Sequence, residues 1–120
     1  MNKVKVEVKI RGVEEVLKNI DNAERRKILP ALERGIHKAG YIVEASAKRK
    51  CPVDTGRLRK SINTVRKKLS VTVGTSVKYA PYVEFGTSKM RAQPFLYPAV
   101  NENIRKIEQA IVTEVKKAVG

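Results

Sequence analysis

Charged and apolar residues alternate strictly through Lys3-Val4-Lys5-Val6-Glu7-Val8-Lys9-Ile10, which puts Val4, Val6, Val8 and Ile10 on one face of a half-buried strand. Gly12 ends the alternation. Val13, Val16, Leu17 and Ile20 then recur at i, i+3, i+4 and i+7, the spacing of a short amphipathic helix, and either Asp21 or Asn22 stops it and caps the next. From Ala23 to Lys50 the positions Ile28, Leu29, Leu32, Ile36, Ala39, Val43 and Ala47 keep helical spacing, so one long helix is expected. A proline inside a helix costs roughly 3 kcal/mol. The helix therefore either kinks at Pro30 or starts near it, with Pro30 in the first turn. Gly35 and Gly40 each lower helix propensity by about 1 kcal/mol against alanine, which points to close approach by another element. Pro52 ends the helix by holding Cys51 extended.

Asp54-Thr55-Gly56 carries turn chemistry, since either side-chain oxygen can accept from backbone N–H groups just ahead and Gly56 leaves the backbone free to turn. A turn of helix through Leu58 to Ser61 then sets Leu58 and Ile62 into the core. Period two returns in Ile62 to Lys68 and Leu69 to Thr75, most clearly at Leu69, Val71 and Val73, with Lys67-Lys68 at the turn of a hairpin. Val77-Lys78-Tyr79 either extends that hairpin or returns to it. Ala80 to Phe85 reads as one or two helical turns, with Pro81 near the start and Gly86 at the C-terminal cap. Its Tyr82, Val83 and Phe85, with Tyr79, are core or interface. Glu84 among them is costly to bury unless paired, so it either accepts hydrogen bonds from backbone or a basic side chain, or lies exposed. Thr87 to Gln93 lacks periodicity and reads as a loop, mobile in the free protein. Pro94 and Pro98 frame the approach to a last helix, along which Leu96, Val100, Ile104, Ile107, Ile111, Val115 and Val119 line one face packed on the long helix. The fold class expected is α+β: a small antiparallel sheet, made of the N-terminal strand and the central hairpin, against a long helix and a C-terminal helix.

A chain of 120 residues has room for one domain, taken as residues 1–120, and 42% apolar residues suffice for one modest core. No run approaches the roughly 20 apolar residues of a membrane span, and the first residues carry no signal-peptide hydrophobic segment, so the protein is expected to start in the cytoplasm. Cys51 is the only cysteine and His37 the only histidine. An intrachain disulfide is excluded, neither residue has a companion at ligand spacing, and no cofactor is expected. Asp54, Thr55 and Ser61 resemble an acid, a cap and a nucleophile. With no histidine or lysine in a defined motif to activate a hydroxyl, and no carboxylate cluster for a metal, hydrolase or nuclease chemistry finds no support.

Charge changes the picture more than any other property. The formal net charge is +14, and nine basic residues (Lys48, Arg49, Lys50, Arg57, Arg59, Lys60, Arg66, Lys67, Lys68) face Asp54 alone between positions 48 and 68. Such density suits non-specific contact with DNA, or equally a solvated face or an acidic partner protein.

The stretch from Pro52 to Pro98 holds four of the five prolines, five of the six aromatics and three of the seven glycines. Pro52-Val53-Asp54-Thr55-Gly56-Arg57-Leu58-Arg59-Lys60-Ser61-Ile62, the hairpin, Tyr79-Ala80-Pro81-Tyr82-Val83-Glu84-Phe85-Gly86-Thr87 and Pro94-Phe95-Leu96-Tyr97-Pro98-Ala99 follow in that order. Together these resemble the tail-completion, or head-tail joining, protein family of long-tailed double-stranded-DNA bacteriophages. The resemblance implies a non-enzymatic virion-assembly protein that joins tail to head or completes the tail's upper end. It implies a homo-oligomeric ring, sixfold, whose partners are connector, tail-tube or terminator proteins. Asp54, Thr55, Gly56, Glu84, Phe85, Gly86, Pro94 and Phe95 are then structural motif residues, and Thr87, Ser88, Lys89, Met90 and Arg91 a candidate assembly loop. The competing reading is a free-standing, sequence-independent nucleic-acid-binding protein. Against it, the basic stretch lacks interleaved aromatics for base stacking.

Overall fold

The computed structural model describes residues 4–53 and 56–120. Strand β1 (Val4–Lys9) leads to helices α1 (Val13–Lys18), α2 (Asn22–Lys50) and α3 (Arg57–Ser61), then to a hairpin of β2 (Asn63–Arg66) and β3 (Ser70–Thr75), and to α4 (Ala80–Phe85), α5 (Tyr97–Asn101) and α6 (Ile104–Val119). The strands make one antiparallel sheet in the order β1-β3-β2, with Val4 opposite Thr75 and Lys9 opposite Ser70. The fold is α+β, as the patterning predicts. Lys3 lies outside the described residues, and Ile10 falls beyond the end of β1.

Helix α2 is the middle layer, lying between the sheet on one side and α6 on the other. Asp21 caps it by accepting from the Glu24 N–H at 2.8 Å. Pro30 proves to be interior rather than in the first turn, because the helix already starts at Asn22. It is tolerated on an exposed face, where water can reach the carbonyl that its missing N–H leaves unpaired. Gly35 and Gly40 serve the two layers separately, since residues five apart on a helix point about 140° from each other. A β-carbon on Gly35 would lie 2.7 Å from the Ile111 Cα of α6, and one on Gly40 would lie 2.6 Å from a Val71 methyl of β3. Ala39, Val43 and Ala47 then join Val4, Val73, Leu58, Ile62, Phe95 and Leu96 in the main core.

Four expectations need correction. Val16 is exposed, because only Leu17 turns inward from a helix six residues long. Val77-Lys78-Tyr79 forms a turn, not a strand. The hairpin strands are shorter than the alternation suggested, since the Lys67 N–H bonds the Ser70 carbonyl at 2.8 Å and closes the turn early. The last helix is two: Glu102 and Asn103 separate α5 from α6, and the break shifts the buried stripe. The Asn103 N–H returns to the Val100 carbonyl at 3.1 Å and its amide donates to the Ala99 carbonyl at 2.7 Å. This tight turn leaves Ile104 exposed, as is Val119 at the far end, and buries Asn103 and Glu114.

Glu114 faces α2 and is roofed by cations. Arg34 Nε donates to Oε1 at 3.0 Å, Lys38 Nζ donates to Oε2, and Lys117 Nζ lies 3.7 Å away. The hydrogen bonds from Lys38 and Arg34 lower its pKa from 4.5 to about 2, with desolvation opposing them.

Two outcomes are expected. Gly35→Ala gains about 1 kcal/mol of helix propensity, but the new carbon meets backbone, and overpacking of that kind costs about 1–3 kcal/mol. The variant should be less stable by about 1 kcal/mol in urea unfolding; a stabilised variant would show that α6 yields freely. The second concerns pH. Because folding lowers the Glu114 pKa, its contribution is complete above 4.5 and is lost as pH falls toward about 2. Glu114→Gln should melt below the parent at pH 7, with the gap closing between pH 4.5 and 2 in a series of thermal midpoints. A constant gap would remove the carboxylate from the explanation.

Candidate assembly interface

Helix α2 ends where Cys51 turns extended (φ −65°, ψ 129°) ahead of Pro52. Burial pushes the Cys51 thiol up, with Arg59 opposing and Glu84 reinforcing that shift. Asp54 and Thr55 lie outside the described residues. Gly56 starts α3 with φ 82°, a left-handed conformation that favours glycine. Leu58 and Ile62 are buried, as expected. The Ser61 hydroxyl donates to the Leu58 carbonyl at 2.6 Å and shares a 2.6 Å hydrogen bond with the Thr75 hydroxyl, which also accepts from the Val77 N–H at 3.1 Å. Ser61 is thus a tie between α3 and the end of β3. His37 is elsewhere, with Nε2 on the Lys67 carbonyl at 2.8 Å.

The centre of the region is Glu84, only 3% exposed. Its Oε1 accepts from the Phe95 and Leu96 N–H groups and its Oε2 from the Tyr97 N–H, each at 3.0 Å. A buried carboxylate is tolerable on these terms because three donors replace its lost hydration, and the same three donors would otherwise be orphaned at the start of α5. Glu84 therefore fastens α4 to the Pro94-Phe95 segment, which drives the Phe95 ring fully into the core. Gly86 completes the junction. Its φ of 76° is left-handed, and a β-carbon there would meet the Ala92 nitrogen at 2.7 Å.

What this junction presents outward is apolar. Tyr82 and Phe85 are 55% and 61% exposed, and Tyr79, Met90 and Tyr97 are exposed beside them. The Tyr97 ring stacks at a tilt on Phe85, 5.7 Å between centroids, and the Arg57 guanidinium sits 5.7 Å from the Tyr79 ring. Tyr79, Tyr82 and Phe85 are therefore not core residues, whereas Val83 packs against the core. A groove of about 300 Å³ adjoins the patch at Tyr79 and Met90 and is otherwise lined by Pro52, Gly56, Leu58, Val83 and Gln93. The Thr87–Arg91 loop reaches it through Met90. The Thr87 N–H bonds the Met90 carbonyl at 2.8 Å, and the Gln93 N–H ties the loop's end to the Val83 carbonyl at 2.8 Å. Thr87, Ser88, Lys89 and Arg91 all face solvent.

The basic stretch is not brought together into one patch. Lys48, Arg49 and Lys50 end α2, where Lys48 pairs with Glu44 at 3.2 Å and Lys50 with Glu102. Arg59 reaches the Cys51 carbonyl, and Lys60 is exposed on α3. Arg66, Lys67 and Lys68 occupy the hairpin turn, exposed and with no ion-pair partner among the described residues. That turn sits against His37, about 16 Å along α2 from Lys48. Patterning by itself overlooked Tyr97, exposed at the start of α5 against Phe85. It also overlooked the Arg34–Lys38–Glu114 cluster, because charges 80 positions apart carry no local signal.

Among known families, the model described as bacteriophage HK97-gp10, putative tail-component, matches residues 14–86, from α1 through the end of α4. No curated protein and no solved structure matches the chain.

Removing the Glu84 carboxylate should cost stability well beyond a surface change. Each buried donor left unpaired costs about 1–3 kcal/mol, so Glu84→Ala is expected to lose about 3 kcal/mol or more in urea unfolding. Glu84→Gln, which keeps one acceptor oxygen, should lose less. Equal stability of all three proteins would show that Glu84 does not hold the junction.

Proposed function

Because the chain belongs to the HK97-gp10-like family of bacteriophage tail components, we propose that it is the structural subunit that joins the tail to the head or completes the tail's upper end. It acts as a homo-oligomeric ring, sixfold, close to the path of the DNA, with the whole of residues 1–120 serving as one joining domain. Its partners are connector, tail-tube or terminator proteins, and its place is the virion after assembly in the host cytoplasm. No helix among the described residues is long and apolar enough to cross a membrane.

One observation carries the reading. The stretch that is densest in aromatics and prolines presents Tyr79, Tyr82, Phe85 and Tyr97 on its surface over a junction fastened by Glu84, which is how a protein builds a docking surface rather than a reaction centre. The cations of the hairpin turn supply the DNA contact. A genome moving through a ring needs attraction without base register, and lysine or arginine against phosphate provides that. Lys48, Arg49, Lys50, Arg57, Arg59 and Lys60 lie nearer the groove end, where ion pairs already engage Lys48 and Lys50. The free-standing nucleic-acid-binding reading is weaker because the nine cations divide between separate places instead of forming one track.

The test is made on tails. Cryo-electron microscopy of particles carrying a tagged copy should show the protein in several copies at one level, at the head-proximal end; density spread along the tube would overturn the joining role. Reversing Arg66, Lys67 and Lys68 to glutamate should leave particles assembled but impair DNA retention or ejection. Failed assembly with normal DNA handling would move these cations to a protein interface.

A further inference from the structure

Among the described residues five polar side chains are buried: Ser46, Thr75, Glu84, Asn103 and Glu114. The last four have hydrogen-bond partners in the chain. Ser46, only 3% exposed, has none among the described residues, and it lines an open pocket of about 490 Å³ where the end of α2 meets the start of α6. A buried hydroxyl without a partner is costly unless water or a ligand reaches it. What the rest of the pocket offers therefore decides how Ser46 is used.

The other walls are mostly cationic. Ser46, Arg49 and Lys50 stand at i, i+3 and i+4 on one face of the last turns of α2. Glu102, Asn103 and Lys106 face them from the start of α6. Lys50 pairs with Glu102, whereas Arg49 and Lys106 are exposed with no ion-pair partner among the described residues. Helix α6 adds to this positive lining. Its first bond runs from the Ile107 N–H to the Asn103 carbonyl at 2.9 Å, so the N–H groups of Ile104, Arg105 and Lys106 have no acceptor within the helix. Asn103 does not cap them, because its amide turns back to the Ala99 carbonyl at 2.7 Å. The positive end of a 16-residue helix thus opens on the same pocket as Ser46. The negative end of α2 is also near, and Lys48, Arg49 and Lys50 in its last turn offset it.

We propose that this pocket binds one phosphate group, with the Ser46 hydroxyl donating to a phosphate oxygen, Arg49 and Lys106 paired with the anion, and the start of α6 facing it. Glu102, whose side chain is 60% exposed, competes with the phosphate for Lys50. A hydroxyl, a guanidinium, ammonium groups and helix N–H groups converge from both walls. A tetrahedral oxyanion has an oxygen for each direction, whereas a carboxylate has only two oxygens in one plane. The phosphate comes either from the DNA backbone or from a free phosphate ion. Only the DNA source rests on the reading that sets this subunit near the DNA path.

The experiment follows the backbone amide signals of the full chain by NMR as inorganic phosphate is added, against chloride at matched ionic strength. Saturable shifts are expected at Ser46 and from Ile104 to Lys106. Ser46→Ala fills nearly the same space and loses a hydroxyl that has no partner, so it should melt at or above the parent's temperature. It should nevertheless bind phosphate about tenfold more weakly, as should Arg49→Gln/Lys106→Gln. Glu102→Gln, which releases Lys50, should bind about threefold more tightly. A serine that serves only to let helices pack closely would move none of these affinities. Shifts no greater than those with chloride, a Ser46→Ala chain with the parent's affinity, or a Glu102→Gln chain that binds no tighter overturns the site. A short DNA duplex then separates the two sources. Displacement of phosphate by the duplex, with weaker duplex binding by Ser46→Ala, makes the DNA backbone the source; phosphate shifts that persist beside bound duplex support the site as one for the free ion. The Arg66, Lys67 and Lys68 reversals in particles judge the DNA path separately, so their failure removes the DNA source and leaves phosphate binding to stand or fall on Ser46.

Discussion

The Glu84 carboxylate holds the outward-facing part of this protein in place. A side chain this polar with 3% exposure is tolerated because three backbone N–H groups at Phe95, Leu96 and Tyr97 point at it. The arrangement is reciprocal, since those donors begin α5 and have no intrahelical acceptor. Through that one side chain α4 is pinned to the segment that buries Phe95. Helix α4 turns Ala80 and Val83 to the core that Phe95, Leu96 and Ala99 share, and leaves Tyr82 and Phe85 exposed.

Helix α2 gives this junction a base. It approaches two layers closely, and the two glycines that allow this are spaced so that one faces Ile111 of α6 and the other Val71 of the sheet. Glycine costs helix propensity at each position, about 1 kcal/mol. The cost is offset by close contact on both sides, of Gly35 with the Ile111 backbone and of Gly40 with the Val71 and Thr64 side chains, which a β-carbon would crowd. The clamp of Arg34 and Lys38 on Glu114 adds a polar lock to the α6 side. The result is an elongated body with an exposed aromatic patch at the end where α2 meets Pro52.

Charge is spread along most of the chain. Of the first two helices only α1, with Glu14 and Glu15 against Lys18, carries more acids than bases, for α2 opens with Glu24 against Arg25, Arg26 and Lys27. As a phage tail component, the protein has other structural proteins of the particle for neighbours.

Much of the fold was legible along the chain, because its causes are local. Period two through Val4 to Lys9 and through Val71 and Val73, period 3.6 through α2, the Asp21 cap, the stop at Pro52 and the left-handed Gly86 each depend on neighbours within a few residues. Even the pairing of Glu84 could be anticipated, since burying an unpaired acid is so costly. Its partners could not, for they come from a segment eleven to thirteen positions on, brought back only by tertiary packing. The phase of the last helix, the exposure of Tyr82 and Phe85, the clamp on Glu114 and the splitting of the basic run share that origin. Each depends on which face another element has already covered, and a linear pattern carries the hydrophobicity of a face but not the presence of its neighbour.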